Sequence, residues 1–465
     1  MKGLVSLKRY DVAVIGSGPA GHGAAIQAAK LGKSAVVIER ASNVGGTSVH
    51  TGSIPSKALR EAVLYLTGFR QRDIYGISYT LKQDLTVKDL IARLDKVIRD
   101  EVQVMQHQFG RNGVTLIQGE ATFLDANRLR VQRDDGYSDI EADHIVIAVG
   151  TVPARVERVP VNGRTIIDTT SVFALPAIPR TMTIVGAGPI GVEYASIFAA
   201  LDTEVTLVDQ RHRILEFLDR EIRDALIYHL RQEGIILRLG EEVTRVVEGE
   251  GRVVAYTKSK KRITSEVLFH TVGRQGATAS LGLDRVGIEA DKRGRLQVDD
   301  CYRTSVPSIY AVGDVIGFPA LAATSMEQGR LSVRYAFGVD LSPLPSLLPY
   351  GLYTIPEISM VGQTEEELTS AGIPYEIGVA RYRETARGQI IGDKTGMLKL
   401  LVHQDNKRLL GVHIIGEGAT ELVHIGQVLI ALEGTVEFLV NNTFNYPTLA
   451  ECYRIAALDA YNKLR

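Results

Sequence analysis

Two short runs carry the first chemistry in the sequence: Gly16-Ser17-Gly18-Pro19-Ala20-Gly21 and Gly186-Ala187-Gly188-Pro189-Ile190-Gly191. Each follows an apolar run (residues 12–15 and 182–185), and each is followed by a second apolar run that ends in an acid, Glu39 or Asp209. Glycine at these places permits a tight turn, lets backbone N–H groups approach a pyrophosphate, and lets a helix sit close on a strand. The acid accepts hydrogen bonds from ribose hydroxyls. A lone GxGxxG is weak evidence; strand, glycines, helix, strand and acid in that order make a dinucleotide fingerprint. Here the order occurs twice, and Gly186 follows Gly16 by the same 170 residues that separate Asp209 from Glu39. Glycine-rich turns of an ordinary sheet have no reason to repeat in register. Two dinucleotide sites imply two nucleotides, one held tightly and one exchanging. FAD with a nicotinamide dinucleotide is the pair between which hydride passes directly.

The elements that must position these residues follow from pattern. Helices are expected over 24–31 and 193–201, with strands over 34–39 and 204–209. Residues 86–109 have helical spacing with charged faces and are expected to lie over the first domain. The apolar run 145–150 closes on Gly150, a natural exit from domain one, and 270–274, containing Gly273, is its equivalent in domain two. Residues 308–314 form another buried strand ending at Gly313-Asp314. The Pro343, Pro345 and Pro349 cluster reads as a linker. Beyond it, strand-like runs (397–402, 409–415) and helices (419–431, 449–464) indicate an α+β terminal domain. The fold class is thus α/β, with two doubly wound Rossmann-like nucleotide-binding domains and a C-terminal α+β domain.

Composition narrows the partners. A chain of 465 residues with a net charge of -1 has no electrostatic case for binding nucleic acid or a membrane surface. No stretch approaches the roughly 18 apolar residues of a membrane span, and the first residues lack the apolar core of a signal peptide. The two cysteines, Cys301 and Cys452, lie far apart, which suits a reducing cytoplasm and leaves no CxxC metal site, so no metal is expected.

The residues 44–57, Val-Gly-Gly-Thr-Ser-Val-His-Thr-Gly-Ser-Ile-Pro-Ser-Lys, resemble the active-site stretch of the flavoprotein disulfide reductases, whose pattern is G-G-T-C-x-x-x-G-C-I-P-S-K. The similarity spans nearly the whole chain, taking in both fingerprints, Glu193, Gly313-Asp314 and the terminal Pro447-Thr448-x-x-Glu451. The resemblance implies that Gly46, Thr47, Gly150 and Asp314 help to hold FAD, with Asp314 on the ribityl chain. It also implies that Lys57 lies near flavin N5 and pairs with Glu193, and that the terminal domain forms a homodimer interface. The implied segments are 1–150 and 275–345 for the FAD and central domain, 151–274 for NAD(P), and 346–465 for dimerisation.

The departures bear most on activity. Both redox-cysteine positions are serine, Ser48 and Ser53, and a serine cannot form a disulfide. Where the family has a histidine before Pro-Thr, this chain has Tyr446, whose ordinary pKa near 10 suits it poorly to acid catalysis of thiol chemistry. Cys301 and Cys452 do not occupy the matching positions. Disulfide reduction is therefore excluded unless a partner supplies the thiols. The branch of similar character is the soluble pyridine nucleotide transhydrogenases (Si-specific), which share details such as 52–60, 215–219 and 442–448, although their members usually keep a cysteine at the place of Ser48.

The expected reaction is ping-pong hydride transfer from NADPH to NAD+ through FAD, with Lys57 stabilising negative charge on the reduced ring. Alternatives are an NAD(P)H:quinone or dye reductase and a non-catalytic flavoprotein subunit. Asp209 suits the ribose of NAD, while Arg211 and Arg213 could meet the 2′-phosphate of NADP unless they are ordinary solvated charges. His50 and Tyr446 are expected to serve packing, His424 to be a satisfied core or interface histidine, and Cys452 to be buried and inert.

Overall fold

A computed structural model describes residues 8–69, 75–76, 85–339 and 343–464. The chain divides into two compact units. One combines the residues up to Ala58 with Ile91–Ala154 and Gly273–Pro345; the other combines Leu59–Leu90, Arg155–Val272 and Ser346–Arg465.

The first unit is built on a seven-stranded sheet. Strands Thr115–Gln118, Ala35–Glu39, Lys8–Ile15 and Gly136–Ile147 lie side by side, and Ile309–Ala311 adds a further parallel strand to Gly136–Ile147. All five residues of Ala35–Glu39 are buried, as a parallel sheet covered on both faces demands. Strands Glu120–Asp125 and Arg128–Arg133 continue the sheet as an antiparallel extension. Helix Pro19–Lys30 covers one face and packs against helix Ala322–Ala336. Two glycines permit that approach: a Cβ on Gly23 would meet the Met326 carbonyl oxygen at 2.3 Å, and one on Gly329 the Ala20 carbonyl oxygen at 1.9 Å.

The second unit contains a five-stranded all-parallel sheet in the order Ile236–Leu239, Glu204–Asp209, Thr181–Val185, Val267–His270, Ile166–Ile167. A three-stranded antiparallel sheet (Val243–Gly249, Arg252–Thr257, Arg262–Ser265) follows the edge strand. The C-terminal part is a five-stranded antiparallel sheet, Tyr350–Leu352, Ile358–Gly362, Leu409–Ile415, Met397–His403 and Tyr375–Arg381, packed by helices Ala419–Ala431 and Glu451–Lys463. Its fully buried Lys399 meets the equally buried Asp219, 2.9 Å away, at the N-cap of helix Arg220–Gln232.

The expected elements are present with shifted ends; the run 308–314 is a strand only over Ile309–Ala311, and Gly313-Asp314 open the 3-10 helix Gly313–Ile316 instead. The fingerprint helices begin at Pro19 and Pro189, earlier than residues 24 and 193, because proline at the first helical position lacks an N–H the helix has no use for and already has the required φ. The strands before the domain exits stop at Ile147 and His270; Gly150 and Gly273 lie in the following turns with φ of +63° and +79°. Among the described residues no helix is long and apolar enough to cross a membrane.

Candidate functional site

The two fingerprints fold to the same backbone scheme. The Gly16 N–H donates to the Ile38 carbonyl at 2.8 Å, and the Gly186 N–H to the Val208 carbonyl at 2.8 Å. Both first glycines have positive φ, +102° and +110°, which side-chain-bearing residues rarely adopt. At both third glycines a Cβ would collide with the carbonyl oxygen of the first, at 1.9 Å for Gly21 and 1.8 Å for Gly191. The middle glycines differ from both: the nearest atom to a Cβ on Gly18 would be the Gly46 Cα, and on Gly188 the Arg211 Nη2, each 4.0 Å away. Room is thus kept at the start of each helix, where Gly18 and Gly188 are N-caps without a side-chain hydrogen bond. Uncapped N–H groups at the positive end of a helix suit a pyrophosphate, so both sites fit a dinucleotide.

The acids are held differently. In the first unit Glu39 accepts from the Ser17 N–H at 2.9 Å, the Ser17 hydroxyl at 2.6 Å and the Ala41 N–H at 2.9 Å. The Ser17 hydroxyl oxygen also accepts from the Gly45 N–H at 3.0 Å, tying the fingerprint to the 44–57 stretch. In the second unit Asp209 accepts from the Ala187 N–H at 2.6 Å and the Arg211 N–H at 2.8 Å, and the Arg211 guanidinium grips it through Nε at 3.0 Å and Nη2 at 2.7 Å. Burial opposes the charge on Asp209, but the bonds from Arg211 and Ala187 prevail and hold its pKa below the ordinary carboxylate value. The same guanidinium stands 4.0 Å from where a Cβ on Gly188 would be, at the mouth of the helix N-terminus. Arg213 is exposed and, among the described residues, makes no ion pair.

The first unit gathers most residues expected at a flavin. Gly46, with φ of +58°, packs so closely that a Cβ would lie 3.0 Å from the Gly18 Cα. Thr47 and Ser48 sit in helix Gly46–His50, and His50 Nε2 lies 2.8 Å from the Val44 carbonyl oxygen, a packing role. Asp314 follows Gly313, whose Cβ would meet the Ala20 side chain at 3.0 Å. Its carboxylate receives the Thr151 and Ser325 hydroxyls at 3.4 Å each, long contacts that leave capacity for stronger donors. Gly150 precedes Thr151, which Arg274 grips through Nε at 2.7 Å to the hydroxyl and through Nη2 at 2.6 Å to the carbonyl. Gly273, beside Arg274, accepts from the Ala154 N–H at 3.2 Å. Lys57 lies on helix Ser53–Leu66, with Nζ 3.3 Å from the Ser56 hydroxyl, and Ser53 is exposed at the start of that helix.

In the second unit Glu193 is 6% exposed on helix Pro189–Ala199 and accepts from the Tyr353 N–H at 2.8 Å. The Ser196 hydroxyl one turn on accepts from the Ile355 N–H at 3.0 Å. The C-terminal strand region thereby fixes the helix that carries Glu193. Burial, with Glu193 nearby, pushes the Tyr350 hydroxyl up to about 12. Sequence reasoning missed Ser17, Gln328 (whose Oε1 accepts from the Gly313 N–H at 2.8 Å) and Tyr353. Ser17 was legible, since it occupies the variable place of a recognised motif; a backbone N–H of Tyr353 leaves no signal in residue type.

Cys452 is buried, and burial pushes its thiol up to about 12, which leaves it inert. Tyr446 is 68% exposed in the single chain. Of the two places expected for His424, core or interface, the structure rules out the core: it is exposed on helix Ala419–Ala431, with Nδ1 2.8 Å from Gln427 Oε1. It points away from the apolar stripe containing Val423 and Leu429. Among the described residues no group of His, Cys, Asp or Glu could hold a metal ion.

Comparison with known proteins agrees with this geometry. Residues 10–329 match the pyridine nucleotide-disulphide oxidoreductase family, and 348–457 match its dimerisation domain. The soluble pyridine nucleotide transhydrogenase of Mycobacterium bovis is 52% identical over 99% of this chain and 98% of its own length. That of Serratia proteamaculans is 45% identical over 98% and 99%. Among solved structures, LpdA from Mycobacterium tuberculosis superposes with a TM-score of 0.89 at 25% identity, covering 97% of this chain and 99% of its own. The HOCl-induced flavoprotein disulfide reductase RclA from Escherichia coli gives 0.86 at 26%, covering 97% and 99%. The chain belongs to the pyridine nucleotide-disulphide oxidoreductase family of NAD(P)H-linked flavoproteins.

Proposed function

We propose that this chain is a soluble NAD(P)+ transhydrogenase, moving hydride from NADPH to NAD+ in a ping-pong cycle. One observation carries the reading: two complete dinucleotide fingerprints share a chain in which Ser48 and Ser53 stand at the redox-cysteine positions. The relatives named as transhydrogenases support it. FAD, when bound at the first fingerprint, supplies a ring that accepts hydride from one nicotinamide and returns it to another.

The chain's own residues do the rest. Gly18 and the N-terminus of helix Pro19–Lys30 take the FAD pyrophosphate, Glu39 its ribose and Asp314 its ribityl chain. Gly188 and helix Pro189–Ala199 take the exchanging nucleotide. Lys57 supplies positive charge for the reduced ring, and Glu193, held by the Tyr353 N–H, lies on the helix that takes the exchanging nucleotide. Asp209 with Arg211 and Arg213 lets one site accept both nucleotides: the carboxylate serves the ribose of NAD+, and the arginines offset its repulsion of a 2′-phosphate. The segments 1–150 with 275–345, 151–274 and 346–465 serve FAD, NAD(P) and dimerisation. A homodimer agrees with the dimerisation-domain match, and a cytoplasmic location with the two free cysteines.

The test mixes the yellow protein anaerobically with NADPH and thio-NAD+. Bleaching followed by analogue reduction, with parallel-line kinetics, is expected. Bleaching reversed only by quinones moves the function to quinone reduction, and no bleaching with either nucleotide removes the enzymatic reading.

A further inference from the structure

A cleft of about 450 Å³ opens beside Asp209, lined by Gln210, Gly240, Glu241, Glu242, Lys258 and Ser259. Two backbone bonds join its wall to the fingerprint acid's strand end: the Glu241 N–H donates to the Asp209 carbonyl at 2.9 Å, and the Gly240 N–H to the Arg211 carbonyl at 3.0 Å. Gly240 has φ of +72°, which favours glycine, and a Cβ there would come 2.6 Å from the His212 ring. The adjoining wall is the turn after strand Arg252–Thr257, pinned by the Lys258 N–H on the Glu242 carbonyl at 2.8 Å.

Charge pairing decides what the cleft attracts. Glu241 is taken up by Lys261 and by the Ser259 hydroxyl at 2.6 Å, and these hold its carboxyl down to about 2. Glu242 is taken up by Arg158 at 2.7 Å, and Arg211 is taken up by Asp209. Among the described residues lining the cleft, Lys258 is the cation with no ion-pair partner, and its backbone is fixed while its side chain is exposed. The carboxylates are neutralised and the lysine is not, so the cleft presents one uncompensated positive charge next to the residue that meets the adenosine ribose.

Resting on the two-nucleotide reading above, we propose that Lys258 is a specificity-determining residue of the second site, where its ammonium receives the 2′-phosphate of NADP(H). Arg211 offsets the charge of Asp209, and Lys258, together with Arg213, which makes no ion pair among the described residues, adds the net attraction that a phosphate requires and a 2′-hydroxyl does not. Discrimination between the two nucleotides then depends on a residue about 50 positions beyond the acid, on a β-turn of the three-stranded sheet.

The experiment is calorimetric titration of the purified flavoprotein with 2′,5′-ADP and with ADP at low salt. Wild type is compared with Lys258→Ala, Lys258→Arg and the neighbouring Lys260→Ala. Lys258→Ala is expected to weaken 2′,5′-ADP about fivefold to tenfold while ADP stays within about twofold, in keeping with one charge-assisted contact in a half-open site. Lys258→Arg restores most of the preference, Lys260→Ala leaves it intact, and added salt shrinks it. Equal weakening of both ligands assigns the cleft to the adenine and overturns the proposal, as does no weakening of either. Binding is read without turnover, so the two readings fail separately. A Lys258-dependent preference without NADPH-to-thio-NAD+ transfer keeps the subsite and removes the transhydrogenase. Transfer with an unchanged preference in Lys258→Ala does the reverse.

Discussion

The two fingerprints have the same backbone and hold their acids in opposite ways. Among the described residues the donors to Glu39 are uncharged, and the Ser17 hydroxyl links the acid to Gly45 on the neighbouring loop. Around Asp209 the equivalent of Ser17 is Ala187, which has no hydroxyl, and the carboxylate is covered instead by the half-exposed Arg211 side chain. The first site is cross-linked within its unit, with Gly46 against Gly18 and Gly313 against Ala20. The second has a long, half-exposed side chain at its mouth, held by the acid and not by the surrounding fold. These two arrangements suit the proposed roles, a nucleotide that stays at the first site and one that leaves the second.

The hardest way to break that contrast is to fill the third glycines. Gly21→Ala and Gly191→Ala each place a methyl under 2 Å from a backbone oxygen, and each is expected to lower stability by about 3 kcal/mol. Gly21→Ala should yield colourless protein, whereas Gly191→Ala should stay yellow and lose bleaching by NADPH by more than about a hundredfold. Equal loss of flavin in both would end the division of roles. Next in size, Ser17→Ala makes the first site resemble the second; losing a bond to a buried carboxylate costs about 1.5–2 kcal/mol, and flavin should dissociate at least about tenfold more readily in a dialysis assay. Arg211→Ala with Arg213→Ala should raise the NADPH KM about fivefold to tenfold and the NADH KM by less than about threefold. An unchanged NADPH KM would remove both arginines from nucleotide selection.

Acidity tests the same contrast more gently. The pKa of Asp209 lies below its unfolded value, so its stabilisation is present above the ordinary carboxylate pKa and is lost as pH falls through the lowered one. Asp209→Asn should therefore cost about 1 kcal/mol in urea unfolding at neutral pH, and the difference from wild type should close below about pH 4. The smallest effect is expected between the fingerprints. Ser48→Ala should leave NADPH-to-thio-NAD+ transfer within about twofold, because no thiol step is available for it to impair. A large loss there would give Ser48 a part in the chemistry.

The sequence disclosed what depends on residue type at fixed spacing. The third glycines at 21 and 191 were readable because a Cβ has no room there, and the buried strands 35–39 and 204–209 because parallel sheets bury both faces. Helix Ala419–Ala431 was readable to the residue from its apolar spacing. Pro19 and Pro189 also carried their meaning as helix starts, although the periodicity alone placed those starts later. His424 shows the limit of local reading, since an apolar neighbourhood in sequence put a polar ring on an exposed helix face.

What only tertiary structure decided is who neutralises whom. Sequence offered Asp209, Arg211 and Arg213 as a set; the fold closes Arg211 on Asp209 and, among the described residues, leaves Arg213 without an ion pair. It likewise brings Tyr353 to Glu193 across 160 residues and Lys399 to Asp219 across 180. Hydrophobic periodicity and glycine placement are local consequences of backbone sterics, so one strand or turn reveals them. Charge compensation depends on distance in three dimensions, and the partners come from segments whose separation along the chain carries no trace of their meeting.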